Sequence, residues 1–189
     1  IFYSFSFWAP TMMIRAFNVS LSEVGLILGL ITIVSSIIGT ILAGSAVDYL
    51  RNKNYSDAPV RAAMIAVMLA LPPIVMLSFV GSEIGAWICI ALYLLFISSF
   101  APLGLLAISG VSTGSVKGQA AAIHAFLMMA FGLSLGPQLT AFFTDFIFAD
   151  PNLLINSISL SGLIVLPISA FLFKISLRRY RESSQKILV

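Results

Sequence analysis

The chain has 189 residues, of which 60% are hydrophobic and 9% charged, with a mean hydropathy of +1.08. Soluble domains carry roughly 25% charged residues, so this composition excludes an ordinary soluble domain and reads as an all-α integral membrane protein. The net charge of +3 gathers at particular places along the chain, which speaks of membrane topology and against nucleic-acid binding.

Taken in order, six apolar segments are separated by polar or turn-forming breaks. They run from Ile1 to Phe17, Ser22 to Leu50, Pro59 to Val80, Ile84 to Ser109, Val116 to Phe143 and Leu154 to Leu177. Every segment but the first reaches the ~20 residues that a helix needs to cross a ~30 Å hydrocarbon core. The first opens on Ile1 in the middle of an apolar run, so a fragment with a truncated first span is expected. The breaks NVSLS, RNKNYSD, GSE, STGS and ADPNL supply turn residues, and their shortness makes consecutive helices antiparallel neighbours. Period-2 alternation is absent, which argues against a transmembrane barrel.

If the spans alternate, Arg51, Lys53, Arg61, Lys117, Lys174, Arg178, Arg179, Arg181 and Lys186 fall on one side and Arg15 alone on the other. The positive-inside rule makes the basic side cytoplasmic. That side includes a basic tail over residues 178–189, and the membrane is expected to be the plasma (inner) membrane.

The second span delivers Thr32, Ser36, Thr40, Gly44 and Asp48 at i+4 steps, one drifting stripe of a helix, and reads as a packing stripe rather than a substrate-lining one. Asp48 is followed closely by Arg51 and Lys53. The third span is nearly featureless apart from its prolines and reads as lipid-facing. The lone Cys89, in the fourth span, has no intrachain partner. In the fifth, Gly132, Gly136 and Thr140 also recur at i+4. His124, the only histidine, lies about seven residues inside that span, ~10 Å from its end at 1.5 Å per residue. An ionisable group at such depth is a candidate substrate or proton site, with a hydrogen bond to a neighbouring helix as the bland alternative. Arg15 is set either to attract an anionic group or to snorkel to outer headgroups. Tyr3, Trp8, Tyr93 and Phe96 are aromatic candidates for a cavity wall. No set of metal ligands and no cofactor site is expected.

The chain also resembles itself. SFWAP ending at Pro10 is matched by SSFAP ending at Pro102; Gly39 and Asp48 are matched by Gly136 and Asp145; Leu71-Pro72 is matched by Leu166-Pro167. The offsets are 92, 97 and 95 residues. Two triplets of spans follow, and because three is odd the second enters the membrane inverted. Such a pair of inverted triplets is a property of one six-span half of a major facilitator superfamily transporter.

Specific residues carry the same resemblance. Gly44, Asp48 and Lys53 in GSAVDYLRNK resemble the Gly-x3-Asp-x2-Gly-x-Lys/Arg loop motif of that superfamily, departing at Arg51 where the family has Gly. Gly132, Gly136 and Pro137 in GLSLGPQLTAFFTD resemble its eleventh span. FWAPTMMIRAFNVSLSEVGLILG is similar to the seventh-to-eighth span region of spinster-like and organic-anion members. The resemblance covers residues 1–189 as spans seven to twelve. It implies that the first, second, fourth and fifth spans border a central cavity, with the third and sixth outside. It also implies that Asp48 accepts from the start of the fifth span near Val116 to Gly118 and pairs with Lys53 or Arg61, closing a cytoplasmic gate.

The function expected is therefore half of a secondary active transporter of a small solute, working by alternating access, with proton coupling left open. Its partners would be the lipid bilayer, an N-terminal six-helix half and the solute. The match of GLSLG to Gly-x-Ser-x-Gly does not make an enzyme. A nucleophile elbow needs a strand-to-helix turn, and His124 lies ten residues from Ser134, about 15 Å along one helix. A channel or structural subunit stays the alternative, although no filter segment of charges or free carbonyls is visible.

The charge asymmetry has a direct test. In a Cys89→Ala background of the full-length protein, Asn152→Cys should react with an impermeant thiol reagent applied to intact cells and Asn54→Cys should not. Labelling at position 54 from outside reverses the orientation.

Overall fold

A computed structural model describes residues 1–114 and 116–187 of the chain. Ser115, in the STGS break, and the last two residues of the tail lie outside the described residues. Among the described residues the protein is all-helical, with no strand. Six helical runs cover the six apolar segments: α1 (Phe2–Phe17), α2 (Leu21–Asn52), α3 (Ala58–Met76), the broken pair α4 (Glu83–Ile97) and α5 (Phe100–Gly110), α6 (Val116–Phe142) and α7 (Leu154–Ile187). Five of the six runs are long and apolar enough to cross a membrane; the exception is α1, with 16 residues.

Local chemistry sets the boundaries. Asn18 ends α1 in the left-handed region at φ 56°, a conformation asparagine tolerates at a helix C-terminus. Ser20 then caps α2 by accepting from the Glu23 amide at 3.3 Å, and Ser–Leu–Ser–Glu is the capping-box pattern. Ser82 caps α4 in the same way through Gly85 N. The fourth run breaks at Ser98 and Ser99, just ahead of Pro102. Proline's ring clashes with the carbonyl four residues back and removes one amide donor, which places the fault at Ser98. After Pro137, α6 loosens into a wider helical turn over Phe143–Phe148, so this run passes the expected end at Phe143. The last helix continues through the basic tail to Ile187. RRYRESSQK contains no glycine or proline to stop it, and Arg178 pairs with Glu182 one turn on at 3.1 Å.

Two packing faces hold the bundle. On α2 the buried residues beyond Val24 near its start are Ser35, Gly39, Ala43 and Val47, one position earlier at each turn than the stripe expected from sequence. Thr40 and Asp48 are exposed, and nothing lies within 4 Å of a Cβ built on Gly44. At Gly39 a Cβ would come within 2.2 Å of the Leu95 carbonyl oxygen, so α2 and α4 touch backbone to backbone there. Ser99 Oγ donates to the Gly39 carbonyl at 3.2 Å across the same contact. On the other side α6 meets α1, where a Cβ on Gly136 would lie 3.3 Å from the Ser4 amide nitrogen.

The expectation for α3 is corrected. Of the five long runs it is the most deeply buried, with 44% of its most apolar stretch inside the protein against 17% for α2 and none for α6. Its alanines Ala58, Ala62, Ala63 and Ala66 pack with Ala43 and Val47 of α2 and Leu103 of α5, Ala70 joins the main core, and only one flank, with Ile65, Met68 and Leu69, stays exposed. A run poor in polar residues cannot tell lipid from protein, because both are apolar.

Gly39 and Gly44 separate packing from composition. Gly39→Ala forces the α2–α4 backbones apart and should cost about 1–3 kcal/mol, the usual range for overpacking. Gly44→Ala should be neutral or stabilising by up to ~1 kcal/mol, since alanine is the better helix former. Thermal unfolding of the purified full-length variants measures both; equal shifts would refute the assigned face of α2.

Candidate functional site

A cavity of about 350 Å³ lies where all six helical runs meet. The α1 wall is Ile1, Phe2 and Tyr3, the α6 wall is Met128 and Gly132, and Ser36 projects from α2. The fault in the fourth run contributes Ile97, Ser98, Phe100 and Ala101, while Val67 of α3 and Val165, Leu166 and Ser169 of α7 complete the lining, so the third and sixth runs border the cavity instead of lying outside it as expected. Glycine again positions a wall: a Cβ on Gly132 would lie 2.5 Å from Tyr3 Cδ2, so the Tyr3 ring reaches α6 only because position 132 has no side chain. No charged side chain lines the cavity among the described residues.

The candidates from sequence divide sharply. Tyr3 and Gly132 line the cavity, and so does Ser36, from the α2 stripe. Trp8 donates from Nε1 to the Pro137 carbonyl at 3.0 Å and ties α1 to α6. Tyr93 is fully buried, packs on Phe5 with ring centroids 4.8 Å apart, and its hydroxyl has no partner among the described residues. Phe96 packs against the main apolar core. Arg15 is exposed and donates to the Pro151 carbonyl at 3.2 Å, closing the end of α1 on the start of the last run. His124 does not line the cavity. Its ring lies over Gly104 of α5, where a Cβ would be 2.6 Å from Nε2, and Nε2 is buried with no partner among the described residues. Ser134 is exposed and donates to the Ala130 carbonyl one turn back.

A buried ladder of hydroxyls was not foreseen from sequence. Ser4 Oγ and Thr140 Oγ1 are 2.7 Å apart, Thr140 Oγ1 and Ser161 Oγ 3.0 Å, and Thr144 Oγ1 donates to Ser157 Oγ at 2.8 Å. It joins α1, α6 and α7 beside the α1–α6 glycine contact.

The acid–base cluster also differs from expectation. Asp48 is exposed and forms no ion pair among the described residues, while Lys53 Nζ lies over the Tyr49 ring at 4.5 Å. Arg61 pairs instead with Asp57: its Nε donates to Oδ1 at 2.6 Å, and Arg181 Nε donates to Oδ2 at 2.6 Å. Asp57 is buried and joins the start of α3 to the end of α7. Next to it, Tyr180 donates to the Ala107 carbonyl at 3.1 Å, fastening α7 to α5. The available signal was the order Asp57-Ala58-Pro59, an acid ahead of a helix-opening proline, with Arg61 at i+4. Burial alone would raise the Asp57 carboxyl, but hydrogen bonds and charge from Arg61 and Arg181 outweigh it and hold the group below its ordinary 3.8.

No protein-family model matches the chain, and no curated protein matches it.

The Asp57 cluster gives a signed pH prediction. A depressed carboxyl stabilises the fold fully above its unfolded value near 3.8 and loses that contribution as pH falls through the folded value. Asp57→Asn should lower stability at neutral pH by about 1–3 kcal/mol, less than the ~3–5 of fully buried pairs because both arginines keep some water. The gap to the parent, read as a difference in melting temperature, should close as pH falls below 3.8. An undiminished gap in acid would mean that Asp57 acts by shape and not by charge.

Proposed function

We propose that the chain is one half of a secondary transporter that moves a small solute across a membrane by alternating access, a reading its resemblance to major facilitator superfamily halves also favours. The observation that carries this reading is a cavity between the helical runs with no charged side chain among the described residues, although α3 and α7 also reach it, which departs from the arrangement the resemblance implies. The packing around it supports two related triplets. The second helix of each lies on the first helix of the other, α2 on α4 at Gly39 and α6 on α1 at Gly136. The third helices, α3 and α7, lie on each other. A pseudo-two-fold axis through the cavity would produce that exchange.

The faces left over fit the same reading. Both α2 and α6 expose long apolar surfaces, including Leu30, Ile37 and Ile41 on α2 and Phe126, Phe131 and Leu135 on α6. A second six-helix half seated on them would close the cavity from the open side, and the remaining apolar surface would meet lipid. The Asp57–Arg61–Arg181 cluster would then sit at the cytoplasmic end of the plasma membrane protein, holding α3 to α7 while the halves rock. His124, whose Nε2 is buried without a partner among the described residues, is the candidate for proton coupling.

Alternating access makes a claim about a single mid-cavity position. In a Cys89→Ala background of the full-length protein, Met128→Cys should be reached by small thiol reagents from either side of the membrane. Trapping by a reagent that wedges one side open should slow labelling from the other by at least about tenfold, a shift of ~1.4 kcal/mol in the two-state ratio. Simultaneous access from both sides would indicate a channel. Protection from both would indicate a structural subunit.

A further inference from the structure

The outer face of α7 carries an apolar stripe that turns cationic at one end. Ile164, Ile168, Phe171 and Ile175 follow one another at steps of three or four residues, and all four are exposed. Helical geometry carries the same stripe on to Arg178 and Arg179 at the next step, and both are exposed, as is Lys174 beside them. The opposite side of the helix fixes its rotation. Leu166 and Leu177 are buried there, Tyr180 donates to the Ala107 carbonyl, and Arg181 donates to Asp57. With those groups tied to the bundle, Arg178 and Arg179 are held outward.

Ile168 and Arg178 are separated by about 15 Å of helix, which equals one leaflet's share of a ~30 Å hydrocarbon core. The stripe thus has the reach of an acyl chain, and the guanidinium groups arrive at headgroup depth. Their charge is not cancelled locally. Arg178 gives its Nε to Glu182 at 3.1 Å, which leaves its two terminal nitrogens as donors, while Arg179 and Lys174 form no ion pair among the described residues. A phosphodiester fits such a pair of guanidinium forks. A zwitterionic headgroup would bring an ammonium against them, and a soluble phosphate would leave the apolar stripe unused. We propose that this face of α7 binds an anionic phospholipid of the leaflet on the basic side, with its phosphate between Arg178 and Arg179 and an acyl chain along Phe171 and Ile168. This rests on the chain crossing a membrane and not on transport.

The probes are phosphatidylglycerol and phosphatidylcholine carrying the same acyl-chain diazirine, each photolysed at low mole fraction with the full-length protein in phosphatidylcholine nanodiscs. Phosphatidylglycerol should crosslink preferentially to the stripe from Ile164 to Ile175, and unlabelled phosphatidylglycerol should suppress those crosslinks. Arg178→Gln combined with Arg179→Gln should weaken that suppression by at least about tenfold, since each basic residue near a membrane surface adds a several-fold preference for anionic lipid. Arg178→Lys combined with Arg179→Lys keeps the charge and should keep the selectivity. Lys53→Gln combined with Lys117→Gln removes the same charge elsewhere on the basic side and should leave the crosslinks unchanged. Equal crosslinking of the stripe by both probes means ordinary lipid solvation and overturns the site. An equal loss in the Lys53 and Lys117 variant means a diffuse surface potential and overturns it as well. Suppression by soluble glycerol phosphate would make the occupant a free anion and not a lipid. If the selectivity holds while Met128→Cys shows no alternation, transport fails and the lipid site stands.

Discussion

The bundle depends on how closely its helix backbones can approach. In lipid, apolar side chains gain little by moving from hydrocarbon to protein, so association rests on van der Waals contact and on hydrogen bonds between helices. Gly39, Gly132 and Gly136 remove the side chains that would keep α2 from α4 and α6 from α1. The polar links then become possible at normal lengths. Ser99 reaches the Gly39 carbonyl, Trp8 reaches the Pro137 carbonyl, and Ser4 reaches Thr140. Removing the small residues would break the hydrogen bonds without touching any of the bonding groups.

The same contacts shape the cavity. Tyr3 is a wall because Gly132 accepts its ring, and Ser98 is a wall because the fourth run breaks there. A cavity in such a bundle is the space left where close contacts at either side prevent the helices from meeting along their whole length. Two of its hydroxyls, those of Ser98 and Ser169, donate to carbonyls of their own helical run. This is a common solution for serine in an apolar helix.

Much of this was legible in the residues, but not its register. The six apolar runs follow from length and composition, and their ends agree with the helices to within a few residues except in the last two, where α6 passes Phe143 and α7 runs on through the tail. The stripe of α2 was misplaced because Thr32, Ser36, Thr40, Gly44 and Asp48 look as small and polar as Ser35, Gly39 and Ala43; side-chain size alone does not say which flank meets a neighbour. α3 looked lipid-facing for a related reason, since a buried alanine-rich face and a lipid-facing one share a composition. The hydroxyl ladder was invisible because its partners are far apart in sequence, Ser4 and Thr140 by 136 positions. Tyr93, Trp8 and Phe96 were plausible cavity residues by chemistry, yet their burial is decided by helix rotation.

The acid that matters at the basic end follows from helix length. With 32 residues, α2 is about 48 Å long at 1.5 Å per residue, well beyond a ~30 Å hydrocarbon core. On the membrane reading, Asp48 and Arg51 therefore belong to a projecting end where each charge can be hydrated singly, and neither needs the other. Asp57 is different. It lies at the junction where α3 turns back into the bundle and where α7 runs past it, so water is excluded from a carboxylate that the chain cannot move. An isolated charge there would cost several kcal/mol, and two arginines from different helices, each donating Nε to one oxygen, offset it. Hydration spares the exposed acid a partner, whereas burial makes the other acid hold two helices together.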